Sequence, residues 1–300
     1  MGNINEVKYN FQQKQFLTQL DPKFLAKAAA AIGKAKTEIQ RRKNEELRLQ
    51  QQEWARQAVL LKEGSTINMK KVEAEYERLV EGLGKSGEPK WSQFEGYTKG
   101  HNPRFFAPNF FTHGYSHSAG GVNTYDAWQF NFGSGLVPIP RTDPTHGLMG
   151  AQISTANPGG WANFNTGLAN LFFSQSEQTI PVSATFNVYG WGLSFGFGIG
   201  YSRGWVRLGV EAWVYGPAHG TEPVPYYFVN DFWSSVPSPW VFESRHFNET
   251  FSPGTHSISV LPGDVVLGSA VIEQGVACGG WLTAAKSEFL AMVGQLQIGP

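Results

Sequence analysis

Apolar residues in the first part of the chain recur at the spacing of an α-helix. Asp21 and Pro22 are typical of a helix start, since a carboxylate caps the first turn and proline fits its first position. Beyond them, apolar residues recur every three or four positions along one face, at Leu25, Ala28, Ile32, Ala35, Ile39, Trp54, Ala58 and Leu61. Gly64 follows as a C-terminal cap. The spacing predicts a helix over 22–63, about 60 Å long at 1.5 Å per residue.

A second, shorter apolar stripe follows Gly64, and it ends at a group of glycines before Pro89. The stripe consists of Met69, Val72, Tyr76, Leu79, Val80 and Leu83. A short partner helix cannot bury the whole of a helix of about 60 Å. We therefore predict that residues 1–88 form a helical hairpin or coiled-coil stalk that mediates homo-oligomerisation, with Leu25, Ile32, Ile39 and Trp54 among its packing positions. The alternative is a helical hairpin packed on the chain's own body.

From Trp91 onward, short apolar alternations separated by Gly, Pro, Asn and Ser replace the helical pattern. This pattern predicts that residues 89–300 form a mainly antiparallel, jelly-roll-like β-sandwich, giving an α+β chain with segregated segments. Turn signals at 252–254 and 261–264 bracket a strand, and with 265–272 they predict an antiparallel meander. Residues 282–294 fit either a strand or a helix, and residues 91–180 are rich in loop residues.

Between residues 190 and 202, every even position is Gly or Ser and every odd position is a large apolar residue. A strand with this pattern has one smooth face, and together with the alternating stretch 205–215 it predicts a β-hairpin. Three interpretations compete. The smooth face lets another element pack closely against Gly192, Gly196 and Gly198; or the hairpin, about 187–215, inserts into a membrane and forms a pore; or its aromatic residues stack on an extended ligand such as a glycan.

Composition divides the chain in the same place. Residues 1–90 hold 17 of the 24 Lys and Arg, whereas 36 of the 42 aromatic residues and 29 of the 35 glycines follow. The net charge of zero gives no attraction to nucleic acid, and a membrane partner is expected only for the pore-forming alternative. A single cysteine excludes an internal disulfide framework. The first 20 residues lack the apolar core of an export signal, so we expect a protein that is cytoplasmic as synthesised, or part of a released assembly.

Candidate catalytic chemistry is sparse. Two histidines, His113 and His117, are four residues apart, but they lie in a glycine-rich stretch that predicts a loop, so we expect no metal. Cys278 has no acid–base pattern beside it and predicts a buried thiol. Carboxylates that could serve a glycosidase are not paired by their spacing; they are Glu211, Glu222, Asp231 and Glu243. We therefore expect no enzyme and no cofactor, with a carbohydrate-active enzyme as an alternative.

The stretch 222–242 is rich in aromatic residues and prolines. Because prolines resist regular ladder pairing, this stretch is expected at a sheet edge or in loops. Its aromatic side chains either contact a ligand or fold back over the core. The candidate ligand-binding residues are Trp213, Tyr226, Tyr227, Trp233 and Trp240.

Taken together, these patterns favour a self-assembling structural or attachment protein. The helical region would associate with other copies of the chain, and the β domain would pack or bind a glycan or another cell-surface ligand. The pore-forming protein is the first alternative to this function.

Overall fold

A computed structural model describes residues 21–63, 109–111, 126–133, 139–140, 147–156, 159–219, 222–235, 238–280 and 283–299, with 70, 74, 77 and 78. Over these ranges the chain forms an N-terminal helix followed by a mostly antiparallel β domain of 11 hydrogen-bonded strands. The predicted order of a helical segment before a β segment is confirmed.

The helix α1 runs from Pro22 to Glu63, as the apolar spacing predicts. Its first turn is capped by Asp21, whose Oδ1 accepts a hydrogen bond of 2.9 Å from the Lys23 amide. The second helical stripe, 66–83, falls almost wholly outside the described residues. A helical hairpin is therefore not shown, and the shorter partner helix stays a prediction.

The strands range in length from 2 to 38 residues, and the longest is paired along both of its edges. In chain order they are β1 Asn109–Phe111, β2 Asp126–Gly133, β3 Ile139–Pro140, β4 Leu148–Ala156, β5 Gly159–Phe173, β6 Gln178–Tyr215, β7 Val224–Ser234, β8 Ser238–Phe251, β9 Thr255–Val260, β10 Val265–Gly280 and β11 Thr283–Ile298. A short 3-10 helix, Pro217–His219, follows β6.

The 38-residue strand β6 is shared by both halves of the sheet. Its first part pairs with β11 on one edge and with β8 and β9 on the other, and its second part pairs with β10 and β7. The partner changes between Gly196, which pairs with β11, and Gly200, which pairs with β10. We call β2, β5, β10, residues 200–215 of β6, and β7 sheet half A, and β3, β4, β11, residues 178–196 of β6, β8 and β9 sheet half B.

The two sheet halves pack face to face in a sandwich-like arrangement around one core. Period-two alternation supplies this core, because successive side chains of a strand point to opposite faces. Even positions of β6 from Val182 to Val188 and from Val206 to Val214 are buried in a single cluster with Phe289 and Ile298 of β11. A Cβ added at Gly268 of half A would overlap the Ile298 side chain of half B, which shows how closely the halves approach.

The predicted hairpin of 190–202 and 205–215 is wrong in this structure, because both arms lie in β6 without a turn between them. Ser202, Arg203 and Gly204 stay extended and pair with Cys278, Ala277 and Val276 of β10. Alternation identifies the two faces of a strand, but it does not distinguish one long strand from two short ones.

The predicted turn at 252–254 is wrong, because β8 and β9 both run antiparallel to β6 along the same edge and the chain keeps its direction through Gly254, which has a positive φ of 102°. The predicted turn at 261–264 is present: the Asp264 amide donates to the Leu261 carbonyl oxygen at 3.1 Å, and Gly263 has a positive φ of 88°. The second turn does not join paired strands. It carries the chain from β9 in half B to β10 in half A, so the predicted meander of 255–261 with 265–272 is wrong. Two backbone hydrogen bonds hold this crossing in place: the Gly263 amide donates to the Ser174 carbonyl oxygen, and the Ser174 amide donates to the Asp264 carbonyl oxygen. The ambiguous stretch 282–294 lies in strand β11 over its described residues.

The smooth face of β6 accommodates the Trp233 indole of β7. A Cβ on Gly192 or on Gly204 would overlap the six-membered part of this ring. Trp233 also stacks against Phe289, with ring centroids 5.8 Å apart. Because Gly192 has no side chain, the Trp233 ring of sheet half A packs directly against the backbone of sheet half B.

No helix among the described residues is long and apolar enough to cross a membrane.

Candidate functional site

The first half of α1 covers the outer face of sheet half A. Leu25 and Ile32 are buried on this side, and Ile39 packs at its margin. The sheet contributes large apolar residues to the same cluster; they are Trp161, Trp205, Trp213, Leu267 and Val271. This contact lies within one chain. The alternative prediction, a helical hairpin packed on the chain's own body, requires such a contact of its first helix.

A buried ion pair lies at the centre of this helix–sheet interface. The Lys36 ammonium contacts Glu211, and the two side chains are only 1% and 5% exposed. The same Glu211 carboxylate accepts a hydrogen bond from the Trp213 indole. Burial lowers the pKa of Lys36 to about 8, although the charge of Glu211 acts in the opposite direction. The pair therefore does not fully compensate for the lost hydration of Lys36.

Further along α1 the interface becomes more polar. The Asn165 amide donates to Gln40 at 2.6 Å, and both residues are buried. Lys43 lies 2.9 Å from a carboxylate oxygen of Glu273, which also accepts a hydrogen bond from the Tyr227 hydroxyl. Burial and the neighbouring Glu273 charge raise the pKa of Tyr227, so the phenol stays protonated and serves as a donor.

Beyond Lys43, α1 forms one wall of an open cleft of about 200 Å³ on sheet half A. We call it the helix–sheet cleft; it is lined by Lys43, Glu46, Gln50, Asn163, Arg203, Trp205, Arg207 and Glu273. Its charges are unevenly compensated. Arg207 is paired with Asp231 at 2.7 Å and Lys43 with Glu273, whereas Arg203 has no ion pair with any described carboxylate.

Arg203 is held by weaker contacts. Its Nη2 donates to the Ser234 hydroxyl at 3.3 Å, its guanidinium lies 5.6 Å from the Trp205 ring centroid, and its buried Nε has no hydrogen-bond partner. Burial and the nearby Arg207 charge lower the pKa of Arg203. An anion bound in the cleft would therefore stabilise the charged Arg203 guanidinium.

A second buried ion pair lies on the outer face of sheet half B. Lys286 and Glu288 are 2.8 Å apart and almost fully buried. The Trp191 indole donates to Glu288 at 3.1 Å, and the Lys286 ammonium lies 4.7 Å from the centre of that ring. The Trp191 ring also stacks with His246. Each half of the sheet thus carries a lysine–glutamate pair with a tryptophan donor on its outer face.

The predicted ligand-binding residues occupy different environments. Trp213 and Trp233 are buried, the first below α1 and the second in the core. Tyr226 is half-buried against the core cluster, and Tyr227 is 42% exposed beside the helix–sheet cleft. Trp240 lies in β8, but its side chain is outside the described residues. Of this group, Tyr227 combines an exposed ring with a neighbouring cleft.

Among the predicted packing glycines, Gly192 and Gly196 are buried, and Gly198 lies in β6. The Trp54 side chain is outside the described residues. The predicted ligand and assembly roles of these residues stay predictions.

The other candidate chemistry is limited. His113 and His117 lie outside the described residues, and the described part of the chain contains no group of three metal-ligating side chains. Cys278 is a buried free thiol, as predicted, and burial raises its pKa. Glu211 and Asp231 are bound in ion pairs with Lys36 and Arg207. Glu222 is exposed, and the side chain of Glu243 is outside the described residues.

The sequence analysis overlooked the helix side of the cleft. Lys36, Gln40 and Lys43 continue the face of Ile32 at intervals of three and four residues, which places polar groups where the helix contacts the sheet. Glu211 and Glu273 supply matching carboxylates on outward-facing strand positions. This complementarity was present in the sequence, but it could be recognised only once the helix was known to cover that face.

Compared with known proteins, the chain matches no family model, and no curated protein is detectably similar to it.

Proposed function

We propose that this chain is a self-assembling structural or attachment protein. A jelly-roll-like β-sandwich forms its body, the distal part of α1 mediates homo-oligomerisation, and the outer face of sheet half A binds a surface ligand such as a glycan. The observation that carries the proposal is the length of α1, since the described side chains that pack against the sheet lie in its first half, up to Lys43.

The distal part of α1 differs from the part that lies on the sheet. Beyond Lys43, the described side chains are exposed except for the half-buried Glu53, and Leu49 is 52% exposed. Pairs at i,i+3 connect Arg48 with Glu45 and Arg56 with Glu53 within the helix. Such pairs stabilise a helix without a neighbouring element. The segment therefore suits contact with another copy of the chain.

We place that contact on the apolar stripe of the helical repeat. At 100° per residue, Leu47, Trp54, Ala58 and Leu61 continue the face that carries Ile32 and Lys36 on the sheet. The narrow apolar stripe between charged flanks is typical of helices that associate with one another. We therefore infer that this stripe forms the contact between subunits.

Light scattering on the full-length protein tests this proposal. Trp54→Arg places a charge in the stripe, and Gln52→Arg is the matched control because Gln52 is exposed on the opposite face. We expect the wild type and the control to be oligomers, and Trp54→Arg to dissociate while its circular dichroism spectrum is unchanged. A monomeric wild type from about 1 to 100 µM would contradict the proposal, as would a Trp54→Arg oligomer of unchanged mass.

Each of the two alternative functions, pore formation and carbohydrate catalysis, would require changes to contacts seen in the described residues. A pore-forming hairpin from 187–215 would require β6 to give up the ladders on both of its edges. A carbohydrate-active enzyme would require two carboxylates free to act on a glycosidic bond, whereas Glu211 and Asp231 are engaged by Lys36 and Arg207.

A further inference from the structure

We propose that the helix–sheet cleft binds a monoanionic, carboxylate-bearing sugar, with the Arg203 guanidinium as the carboxylate-binding group. This inference deepens the ligand-binding part of the proposed function and rests on it. The ligand class follows from the charge, the size and the chemistry of the cleft.

The charge of the cleft favours one negative charge. Its lining contains three cations and two carboxylates, and two of the cations are already paired with Glu273 and Asp231. Arg203 is the cation without an ion pair to a described carboxylate, and its buried Nε has no hydrogen-bond partner among the described residues. Glu46, exposed on α1, likewise has no described ion pair, so the lining carries a net charge of +1 and the preference for an anion is local to Arg203. A dianion such as phosphate would meet repulsion from Glu46 and Glu273, whereas a single carboxylate would balance Arg203.

The size of the cleft favours a small ligand or one residue of a larger chain. Its volume of about 200 Å³ lies below the range of about 300–1,000 Å³ that holds a drug-sized molecule. The open side of the cleft allows the rest of an oligosaccharide to extend into solvent.

The remaining lining residues suit a sugar ring. Trp205 lies between Arg203 and Arg207 on the same face of β6; it is 6% exposed and contributes a small aromatic area to the lining. Tyr227, whose hydroxyl contacts Glu273, places a second aromatic ring beside the cleft. Asn163 and Gln50 add amides, which can donate to and accept from sugar hydroxyls. An aromatic surface with a planar cation and amides complements a ring that carries both hydroxyls and a carboxylate.

Isothermal titration of the full-length protein with D-glucuronate, D-glucose and inorganic phosphate tests the ligand class. We expect glucuronate to bind in the millimolar range and each of the other two to bind about tenfold more weakly or not at all. Absence of glucuronate binding at about 20 mM would overturn the inference. So would equal binding of glucose, which lacks the carboxylate, or tighter binding of phosphate.

Substitution of Arg203 tests the site. We expect Arg203→Gln to weaken glucuronate binding about tenfold or more, and Arg203→Lys to weaken it less because the charge is kept. Arg245→Gln in β8 is the matched control, since Arg245 is an exposed arginine on sheet half B, and its affinity should equal that of the wild type. Unchanged affinity in both Arg203 variants would overturn the assignment.

Two further measurements distinguish a failure of this inference from a failure of folding or of self-assembly. The melting temperature of Arg203→Gln should equal or exceed that of the wild type, because the change removes a half-buried charge that has no described counter-charge. If Arg203→Gln does not fold, Arg203→Lys alone decides the assignment. Light scattering on the same samples reports assembly, so absence of glucuronate binding by an intact wild-type oligomer counts against the cleft and not against self-assembly.

Discussion

At the scale of single residues, the most consequential feature is the placement of charge inside packed interfaces. Lys36 and Lys286 are both fully buried and each contacts a glutamate whose carboxylate also accepts a hydrogen bond from a tryptophan. Buried pairs of this kind add little net stability when intact, but they strongly penalise the loss of one partner. They therefore specify how the helix and the strands fit together more than they strengthen the fold.

The Lys36–Glu211 pair gives the first prediction. Lys36→Met should lower the free energy of unfolding by about 3–5 kcal/mol, because Glu211 is left buried without its counter-charge. The double variant Lys36→Met, Glu211→Gln should recover most of that loss. Urea denaturation of the two single variants and the double variant measures the coupling. Additive effects of the two substitutions would show that the residues do not act as a pair.

The lowered pKa of Lys36 gives a second prediction, on pH dependence. Between pH 8 and 10.5 the unfolded state holds a proton on this lysine that the folded state has released. Its contribution to stability is therefore lowest below pH 8 and rises through this window, by about 3 kcal/mol at most. The free energy of unfolding of the wild type, measured against that of Lys36→Met, should increase from pH 8 to 10. A constant difference would contradict the shift.

Gly192 gives the third prediction. Gly192→Val should destabilise the protein by about 1–3 kcal/mol or more, because its side chain would overlap the Trp233 ring in a fully packed core. Gly294→Ala is the matched control, since the nearest atoms to an added Cβ there are at 3.5 Å or more. Thermal unfolding should show a clear loss for the first and little change for the second. Equal melting temperatures for Gly192→Val and the wild type would show that the Trp233 contact is not tight.

At the scale of elements, α1 has two parts with different roles. The part from Leu25 to Lys43 contributes its apolar and ionic groups to sheet half A, while the described side chains beyond it are mostly exposed. The helix therefore extends well beyond its last described ion pair with the sheet, that of Lys43 with Glu273. This explains why periodicity located the helix correctly but could not identify its partner.

Paired truncations on α1 give the fourth prediction. Ile32→Ala should cost about 2–5 kcal/mol, because the side chain is fully buried between α1 and the sheet. Leu49→Ala removes an exposed side chain and should change stability by about 0.5 kcal/mol or less. Urea denaturation compares the two. Similar effects at both positions would contradict the packing of the first half of α1 on half A.

At the scale of the whole molecule, the continuity of β6 through both sheet halves ties them together. Ladder pairs along residues 178–215 connect β6 to strands of both halves, and one core lies between them. Neither half can lose its packing without exposing the inner face of the other. We therefore expect the β domain to unfold as one cooperative unit.

The fifth prediction follows from this continuity. Tryptophan fluorescence and far-ultraviolet circular dichroism should report one coincident transition in urea for the β domain, because the halves share a core. Variants in either half, such as Gly192→Val, should shift both signals together. Two separated transitions would show that the sheet halves unfold independently.

The sequence by itself determined the local features of this protein. Helix propensity and capping set α1 at 22–63, and the two-residue alternation separated the two faces of β6 on both sides of Gly204, without showing which of them is the inner face. Glycine and proline located the turn at 261–264, and at 252–254 they marked an interruption between β8 and β9 instead of the predicted turn. Each of these depends on the preferences of neighbouring residues, so a few consecutive side chains are sufficient to specify them.

Only the tertiary structure decided which edges pair and what each face contacts. The single strand β6, the crossing at 261–264 between sheet halves, and the burial of Lys36 against Glu211 all depend on residues far apart in the chain. Alternation has the same period whichever strand lies alongside, and a charged residue on a helix is ordinarily solvated. Their partners become defined when packing brings distant segments together, since the stabilising contacts exist only in the assembled fold.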